Sequence, residues 1–136
     1  MADLYREVIL DHYRNPRNAG TIENPDISYE DSNPLCGDRI RIDLKVAGGK
    51  VTEIKFHGRG CAISQASTSM LTEMIQGQDL EEIRSLTAQD LLDELGIPIS
   101  PARVKCALLG LKVLKTGAYG IAGWPNAEEP GDDKPV

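Results

Sequence analysis

The sequence predicts an α+β domain built from one helix, a small antiparallel sheet and then further helices. Two segments of alternating apolar and polar residues, 39–46 and 51–60, are joined by a glycine turn, which is typical of a β-hairpin. Helical spacing of apolar residues occurs before the hairpin and, repeatedly, after it. Because the strands and helices are segregated along the chain, α+β is favoured over alternating α/β. The 136 residues suit one domain with one core.

A helix is predicted over residues 2–15, with Asp3 as a plausible N-cap. Apolar side chains recur there at helical spacing: Tyr5, Val8 and Ile9. Pro16 cannot continue the helix, and Gly20 permits the turn that follows. Residues 21–35 are polar and predict a loop with at most one short strand near residues 27–29.

The hairpin is the clearest element of the sheet. Its first strand alternates charged residues with four apolar ones: Ile40, Ile42, Leu44 and Val46. With Gly48 and Gly49 at the centre of the turn, Arg39 is expected opposite Gly58. The same register, continued past the open end of the hairpin, sets Cys36 opposite Cys61.

Four helical segments are predicted after the hairpin. They cover residues 61–77, 79–84, 87–96 and 100–120. Small residues crowd the first half of 61–77, which allows close approach to another element. The last two segments have start signals, namely Thr87 with Asp90, and Ser100 with Pro101. The core-facing stripe of the last helix is Val104, Leu108, Leu111 and Leu114. We predict a domain over residues 1–124 and a disordered acidic tail over 125–136, which has too few apolar residues to order itself.

Composition excludes several classes of function. A net charge of −6 argues against nonspecific nucleic-acid binding, which depends on excess Lys and Arg. No apolar run is long enough for a membrane-spanning helix, and the N-terminus resembles neither a signal nor a transit peptide. We therefore expect a cytoplasmic protein that binds neither membrane nor nucleic acid.

The three cysteines are the candidate functional residues. An odd number disfavours a disulfide framework. Cys36 and Cys61 lie beside glycines, and Cys106 falls outside the apolar stripe of its helix. With Asp38, these thiols make four ligands, which suit tetrahedral Zn²⁺ or a small iron–sulfur cluster. A reactive thiol for sulfur or redox chemistry, and three buried structural cysteines, remain open at this point.

Four motifs together resemble the IscU/NifU-N/SufU family of iron–sulfur cluster assembly scaffolds. They are "LYREVILDHYRNPRNAG" (4–20), "NPLCGDRI" (33–40), "GRGCAISQASTSMLTEMIQG" (58–77) and "ARVKCALLGLKVLK" (102–115). The resemblance covers roughly residues 2–120. It implies a SufE/NifU-like fold, with a three-stranded antiparallel sheet, helices against it and a metal site at one exposed end.

The resemblance also implies site residues, cofactors and partners. Cys36, Asp38, Cys61 and Cys106 match the family's ligands, which would hold a transient 2Fe–2S cluster, or Zn²⁺ in the isolated protein. A cysteine desulfurase would supply sulfur, an iron donor the iron, and apo iron–sulfur proteins would receive the cluster. Cys106, and alternatively Cys61, is the candidate persulfide acceptor. The chain would then be a scaffold rather than an enzyme.

Departures from the family pattern keep two alternatives open. Lys105 stands where IscU-type members have a histidine, as in the SufU branch, although the interval between Cys61 and Cys106 is IscU-like. The chain is therefore either a scaffold or a zinc-dependent, sulfurtransferase-type relay, and a purely structural zinc is the third hypothesis. The stretch "ISPAR" (99–103) keeps only Pro101 and a basic residue of the chaperone-binding segment, which weakens the case for an Hsp70-type partner.

Several other residues have a structural interpretation as well as a functional one. His57 is expected to be a solvated strand residue rather than a ligand, and His12 to pack at the edge of the first helix. Arg103 is either a surface residue or one that assists Cys106. Core positions are expected for Met70, Met74 and Trp124.

Overall fold

The computed structural model of the protein describes residues 2–33, 37–96 and 98–119. Among the residues named above, Cys36, Trp124 and the 125–136 tail lie outside this range. The described elements are α1 (Ala2–Arg14), β1 (Ile27–Asn33), β2 (Asp38–Ala47), β3 (Lys50–Arg59), α2 (Ala62–Ile75), α3 (Glu81–Ser85), α4 (Ala88–Leu95) and α5 (Pro101–Tyr119). The predicted fold class, a three-stranded antiparallel sheet with five helices, is confirmed.

The sheet has the order β1-β2-β3, with both pairs antiparallel. Alternation places the apolar residues of β2 and β3 on one face, where α2 and α5 cover them. The main core cluster lies between this face and the helices. A second, smaller cluster joins α1 to α2, α4 and α5 through Ile9, Ala66, Met70, Leu95 and Ala107. None of the helices described is both long enough and apolar enough to span a bilayer.

The hairpin register differs from the prediction by one residue. Val46 pairs with Val51 near the turn, but a bulge between Lys45 and Val46 shifts the pairing from there to the open end. Arg39 therefore faces Arg59 and not Gly58. The extra residue of a bulge leaves no trace in a simple count outward from the turn, which is why the predicted register is wrong.

The start signal predicted for α4 is confirmed and the one predicted for α1 is wrong. Thr87 and Asp90 form a reciprocal capping box, with Asp90 N–H donating to Thr87 Oγ1 over 3.1 Å and Thr87 N–H to Asp90 Oδ2 over 2.9 Å. Asp3, by contrast, lies inside α1, which begins at Ala2.

Helix α5 is buried on several sides and not along one stripe. From Cys106 to Thr116, Lys112 alone is only half-buried. The reason is its position, since β1 and β2 pack on it from one side and α2, α3 and α4 from others. The expectation that Cys106 stands apart from the buried side of its helix is therefore wrong.

Candidate metal and sulfur site

Three of the four predicted ligands meet at the end of the sheet where β2 begins. One ligand atom each of Asp38, Cys61 and Cys106 lie within 4.8 Å of one another. Asp38 is the first residue of β2, Cys61 is the N-cap of α2, and Cys106 lies in the second turn of α5. The site is thus assembled from three elements that are distant in sequence.

Asp38 is fixed by the start of α2. Its Oδ1 accepts a hydrogen bond from the backbone N–H of Cys61 over 3.1 Å, and its Oδ2 lies 3.8 Å from Cys61 Sγ. The carboxylate is only 1% exposed. A helix N-terminus presents unpaired N–H groups, and the Asp38 side chain accepts one of them.

Gly60 makes room for that carboxylate. A Cβ built on Gly60 would lie 2.5 Å from Asp38 Oδ1 and 2.6 Å from Ser64 Oγ, both closer than van der Waals contact allows. Ser64 is fully buried, and its hydroxyl donates to the carbonyl of Cys61 over 3.1 Å. Gly60 therefore leaves the space that the Asp38 carboxylate occupies, a role that the sequence alone did not indicate.

The two described cysteines differ in exposure and in state. Cys61 is half-buried and free, whereas Cys106 is 1% exposed and disulfide-bonded. Cys106 offers a thiolate to a metal only after reduction, so metal loading requires reducing conditions.

The donor set suits a borderline-soft metal. Two sulfurs and one carboxylate oxygen are ligands that Zn²⁺ and iron–sulfur units accept, and the short distances between them suit a single centre. Cys36, the fourth predicted ligand, lies outside the described residues.

The other described residues considered from the sequence are not members of the potential metal group. His57 is exposed on β3 opposite Arg41, and it does not join the potential metal group found among the described residues. Arg103 is exposed, one turn before Cys106, and Lys105 is half-buried next to it. Met70 and Met74 pack into the core, as predicted.

His12 is more deeply embedded than the sequence suggested. It is buried, its Nδ1 lies 2.7 Å from Ser69 Oγ, and its Nε2 lies 3.6 Å from Glu73. Burial, reinforced by Arg17, lowers the pKa of His12 below its ordinary value, against the opposing effect of nearby carboxylates. The side chain therefore joins α1 to α2 as a neutral residue at pH 7 and has no place in the metal site.

Asp43 is a second buried carboxylate, on the opposite face of the sheet from the core. It accepts hydrogen bonds from Ile22 N–H, Ser28 Oγ and Arg41 Nε at 3.1, 2.7 and 3.0 Å. Burial alone raises the pKa of Asp43, but these hydrogen bonds and the charge of Arg41 outweigh it, so that the pKa is lowered. Asp43 therefore links the segment before β1 to the sheet, and it is not part of the potential metal group.

Comparisons with known proteins agree with the predicted resemblance. A family described as "NifU-like N terminal domain" matches residues 4–126. The zinc-dependent sulfurtransferase SufU of Bacillus subtilis is 43% identical over 131 residues, which covers 84% of this chain and 88% of that protein. The iron–sulfur cluster assembly scaffold protein IscU of Aquifex aeolicus is 37% identical over 112 residues, covering 81% of this chain and 71% of that protein.

Solved structures show the same fold. The crystal structure of SufU from Fervidobacterium islandicum matches with a TM-score of 0.74 at 31% identity, covering 82% of this chain and 94% of that one. The N-terminal part of a NifU-like protein from Brucella abortus matches with a TM-score of 0.72 at 25% identity, covering 88% and 95%.

Proposed function

Because the chain belongs to the NifU-like N-terminal domain family, we propose that it is an iron–sulfur cluster assembly scaffold. In this role it accepts sulfur from a cysteine desulfurase, assembles a transient 2Fe–2S cluster and passes it to apo-proteins. The observation that carries the proposal is the convergence of Asp38, Cys61 and Cys106 within 4.8 Å. Cys36 is proposed as the further ligand.

Sulfur transfer to this site needs no external oxidant. A thiolate of the scaffold attacks the outer sulfur of the desulfurase persulfide, the donor's S–S bond breaks, and the donor cysteine leaves as a thiolate. The scaffold cysteine then carries the persulfide. Burial favours Cys61 over Cys106 as the first acceptor, because Cys61 is the more exposed of the two.

The mixed set of thiolate and carboxylate ligands suits a cluster that is bound only transiently. A carboxylate is a harder and weaker ligand than a thiolate for iron–sulfur units, so Asp38 leaves the cluster transferable. A permanent electron-transfer site would be expected to use four cysteines.

A zinc-dependent sulfur relay is the second candidate. Its support is the 43% identity to a relative named a zinc-dependent sulfurtransferase, together with Lys105 at the position before Cys106. In this role the same residues would hold Zn²⁺, which lowers thiol pKa values and orients the acceptor sulfur, and no cluster would form.

A cysteine desulfurase is the proposed partner in either role, in the cytoplasm. An iron donor and apo iron–sulfur acceptors are the further partners of the scaffold role. Pro101 and Arg103 retain little of a chaperone-binding segment, so we do not include an Hsp70-type partner in the proposal.

Anaerobic reconstitution separates the two roles. The reduced full chain is mixed with ferrous iron, cysteine, the cysteine desulfurase of the same organism and a thiol reductant that converts persulfide sulfur to sulfide, and visible absorption and bound zinc are followed together. Growth of 2Fe–2S bands on the protein with loss of zinc supports the scaffold. Acceleration of the desulfurase with zinc retained and no bands supports the relay, and neither response would contradict both.

A further inference from the structure

Two arginines stand directly opposite each other at the site end of the hairpin. The observed register pairs Arg39 of β2 with Arg59 of β3. Both are exposed, on the face of the sheet that points away from α2 and α5. Directly opposed side chains on one face lie close together, and like charges in this arrangement destabilise a sheet.

Only one of the two has an acidic neighbour in the described part of the chain. Arg39 Nε lies 3.2 Å from Glu30 Oε2 on β1. Arg59 has no ion pair among the described residues. The neighbouring Arg41 is held by Asp43 and contributes little net charge. The sheet therefore keeps an uncompensated cation beside a second arginine, which calls for an explanation other than stability.

The arginine pair is close in sequence to two residues of the candidate metal site. Arg39 directly follows Asp38, and Arg59 precedes Cys61 by two residues. An anionic group held by the pair would lie at the end of the sheet where Asp38 and Cys61 are found. The chain as a whole carries a net charge of −6, so an acidic partner is repelled by most of the surface and attracted at this end.

We propose that Arg39 and Arg59 form the docking surface for an acidic segment of the protein that delivers sulfur to Cys61. This inference rests on the proposed function. The pair orients the donor so that its persulfide meets Cys61, and the like-charge repulsion in the free protein is relieved when the acidic segment binds. Electrostatic docking of this kind acts mainly on the association rate and is weakened by salt.

The test compares charge variants of the full chain in sulfur transfer. The reduced, zinc-loaded protein and the cysteine desulfurase of the same organism are mixed at low and high sodium chloride, and persulfide on the chain is quantified by mass spectrometry. Arg59→Glu is expected to lower the second-order transfer rate about tenfold at low salt. The wild-type rate should fall with salt, whereas the variant rate should be nearly independent of it. Arg59→Lys should retain most of the rate.

Stability provides a readout of opposite sign. Arg59→Glu places opposite charges across β2 and β3, so the melting temperature should stay the same or rise while docking is lost. A merely structural role for Arg59 would lower both. Arg14→Glu, the same charge change at the far end of α1, should leave the transfer rate unchanged.

Three results would overturn the inference. Equal transfer by wild type and Arg59→Glu at every salt concentration overturns it while leaving the proposed function intact. Absence of transfer to the wild type removes the proposed function and the inference together. Loss of binding to RNA or to anionic vesicles in Arg59→Glu, with transfer unchanged, assigns the pair to a different partner.

Discussion

At the scale of single residues, Asp38 has two roles in the site. Its carboxylate accepts the N–H of Cys61 and is also the proposed weak ligand of the cluster. We predict that Asp38→Ala retards cluster release, because it removes the weak ligand at which an acceptor could first displace the protein and leaves only thiolate ligands. The half-time of transfer to apo-ferredoxin, followed by visible circular dichroism, measures this.

Glu53→Ala is the control for Asp38→Ala, since Glu53 is an exposed acid on β3 near the turn. It should transfer its cluster at the wild-type rate. Release from Asp38→Ala that is unchanged or faster contradicts the proposed role of the carboxylate.

Gly60 is predicted to be intolerant of a side chain. Gly60→Ala forces its Cβ against Asp38 Oδ1 and Ser64 Oγ, so the carboxylate must leave its position. We expect a loss of Zn²⁺ affinity of about 10–100-fold, by competition with a chelator. Overpacking should also lower the free energy of unfolding by about 1–3 kcal/mol.

Gly49→Ala separates these two effects. Gly49 has φ 77° in an open turn, so an alanine there strains the backbone without touching the site. It should lose stability and keep Zn²⁺ affinity. Normal Zn²⁺ affinity in Gly60→Ala would contradict the inference that the absence of a side chain at Gly60 makes room for the Asp38 carboxylate.

The lowered pKa of Asp43 predicts acid lability. Since the folded-state pKa lies below the unfolded value of about 3.9, the stabilisation is present above that value and is lost as pH falls through the folded pKa. Asp43→Asn should therefore be less stable than wild type at pH 7, with a difference that shrinks towards pH 3. Urea unfolding at several pH values, with chelator present, measures this difference.

His12 acts in a separate pH window, so variants must be compared with wild type at each pH. Its lowered pKa means that the unfolded chain gains a proton first as pH falls below about 6.5, and stability decreases there. A stability difference between wild type and Asp43→Asn that stays constant from pH 7 to pH 3 would contradict the assignment to Asp43.

At the scale of elements, the contact between α2 and α5 sets the separation of Cys61 and Cys106. A Cβ on Gly110 would collide with the side chain of Thr68, which is fully buried. Gly110→Ala should push the helices apart, lowering the free energy of unfolding by about 1–3 kcal/mol and weakening Zn²⁺ binding.

Thr68→Ala tests whether the collision is the cause. It removes the atoms nearest to the new methyl group, so Thr68→Ala combined with Gly110→Ala should recover part of both losses, as measured in a double-mutant cycle. Equal losses with and without Thr68→Ala would show that Gly110 acts in another way.

The local elements were predictable where a single pattern decides them. The capping box of Thr87 and Asp90 and the alternation of β2 are written in short stretches of sequence. The bulge at Lys45 and the burial of α5 depend on what packs against them, which no local pattern contains.

The same division applies to the site. Hairpin geometry predicted that the chain around Cys36 would approach Cys61, and Asp38, two residues further on, does lie beside Cys61 although the predicted register is wrong by one residue. No local geometry predicted the position of Cys106, which was included as the remaining thiol and through the resemblance to a family, because a tertiary contact between α2 and α5 brings it there. The close approach of Gly60 to the Asp38 carboxylate was not predictable from the sequence, because it depends on where a side chain from another strand lies.

At the scale of the whole molecule, we predict that the fold does not depend on the metal. Two apolar clusters that include none of the three described ligands join the sheet and the helices. Removal of Zn²⁺ by a chelator from the reduced protein should leave the far-ultraviolet circular dichroism unchanged and lower the melting temperature. At a free metal concentration of 100 times Kd, the stabilisation lost is about 2.7 kcal/mol.

Cys61→Ser is the matched control, because a variant that binds metal poorly should show little shift on chelation. Collapse of the helical signal in wild type after chelation would instead favour a structural zinc.

The distribution of the ligands over β2, α2 and α5 has a consequence for synthesis in the cell. A nascent chain that still holds α5 inside the ribosome lacks Cys106, and the partners of Asp38 and Cys61 are incomplete. The group of three side chains is therefore complete only after α5 has left the ribosome, and a nascent chain that ends before α5 cannot bind a metal with all three.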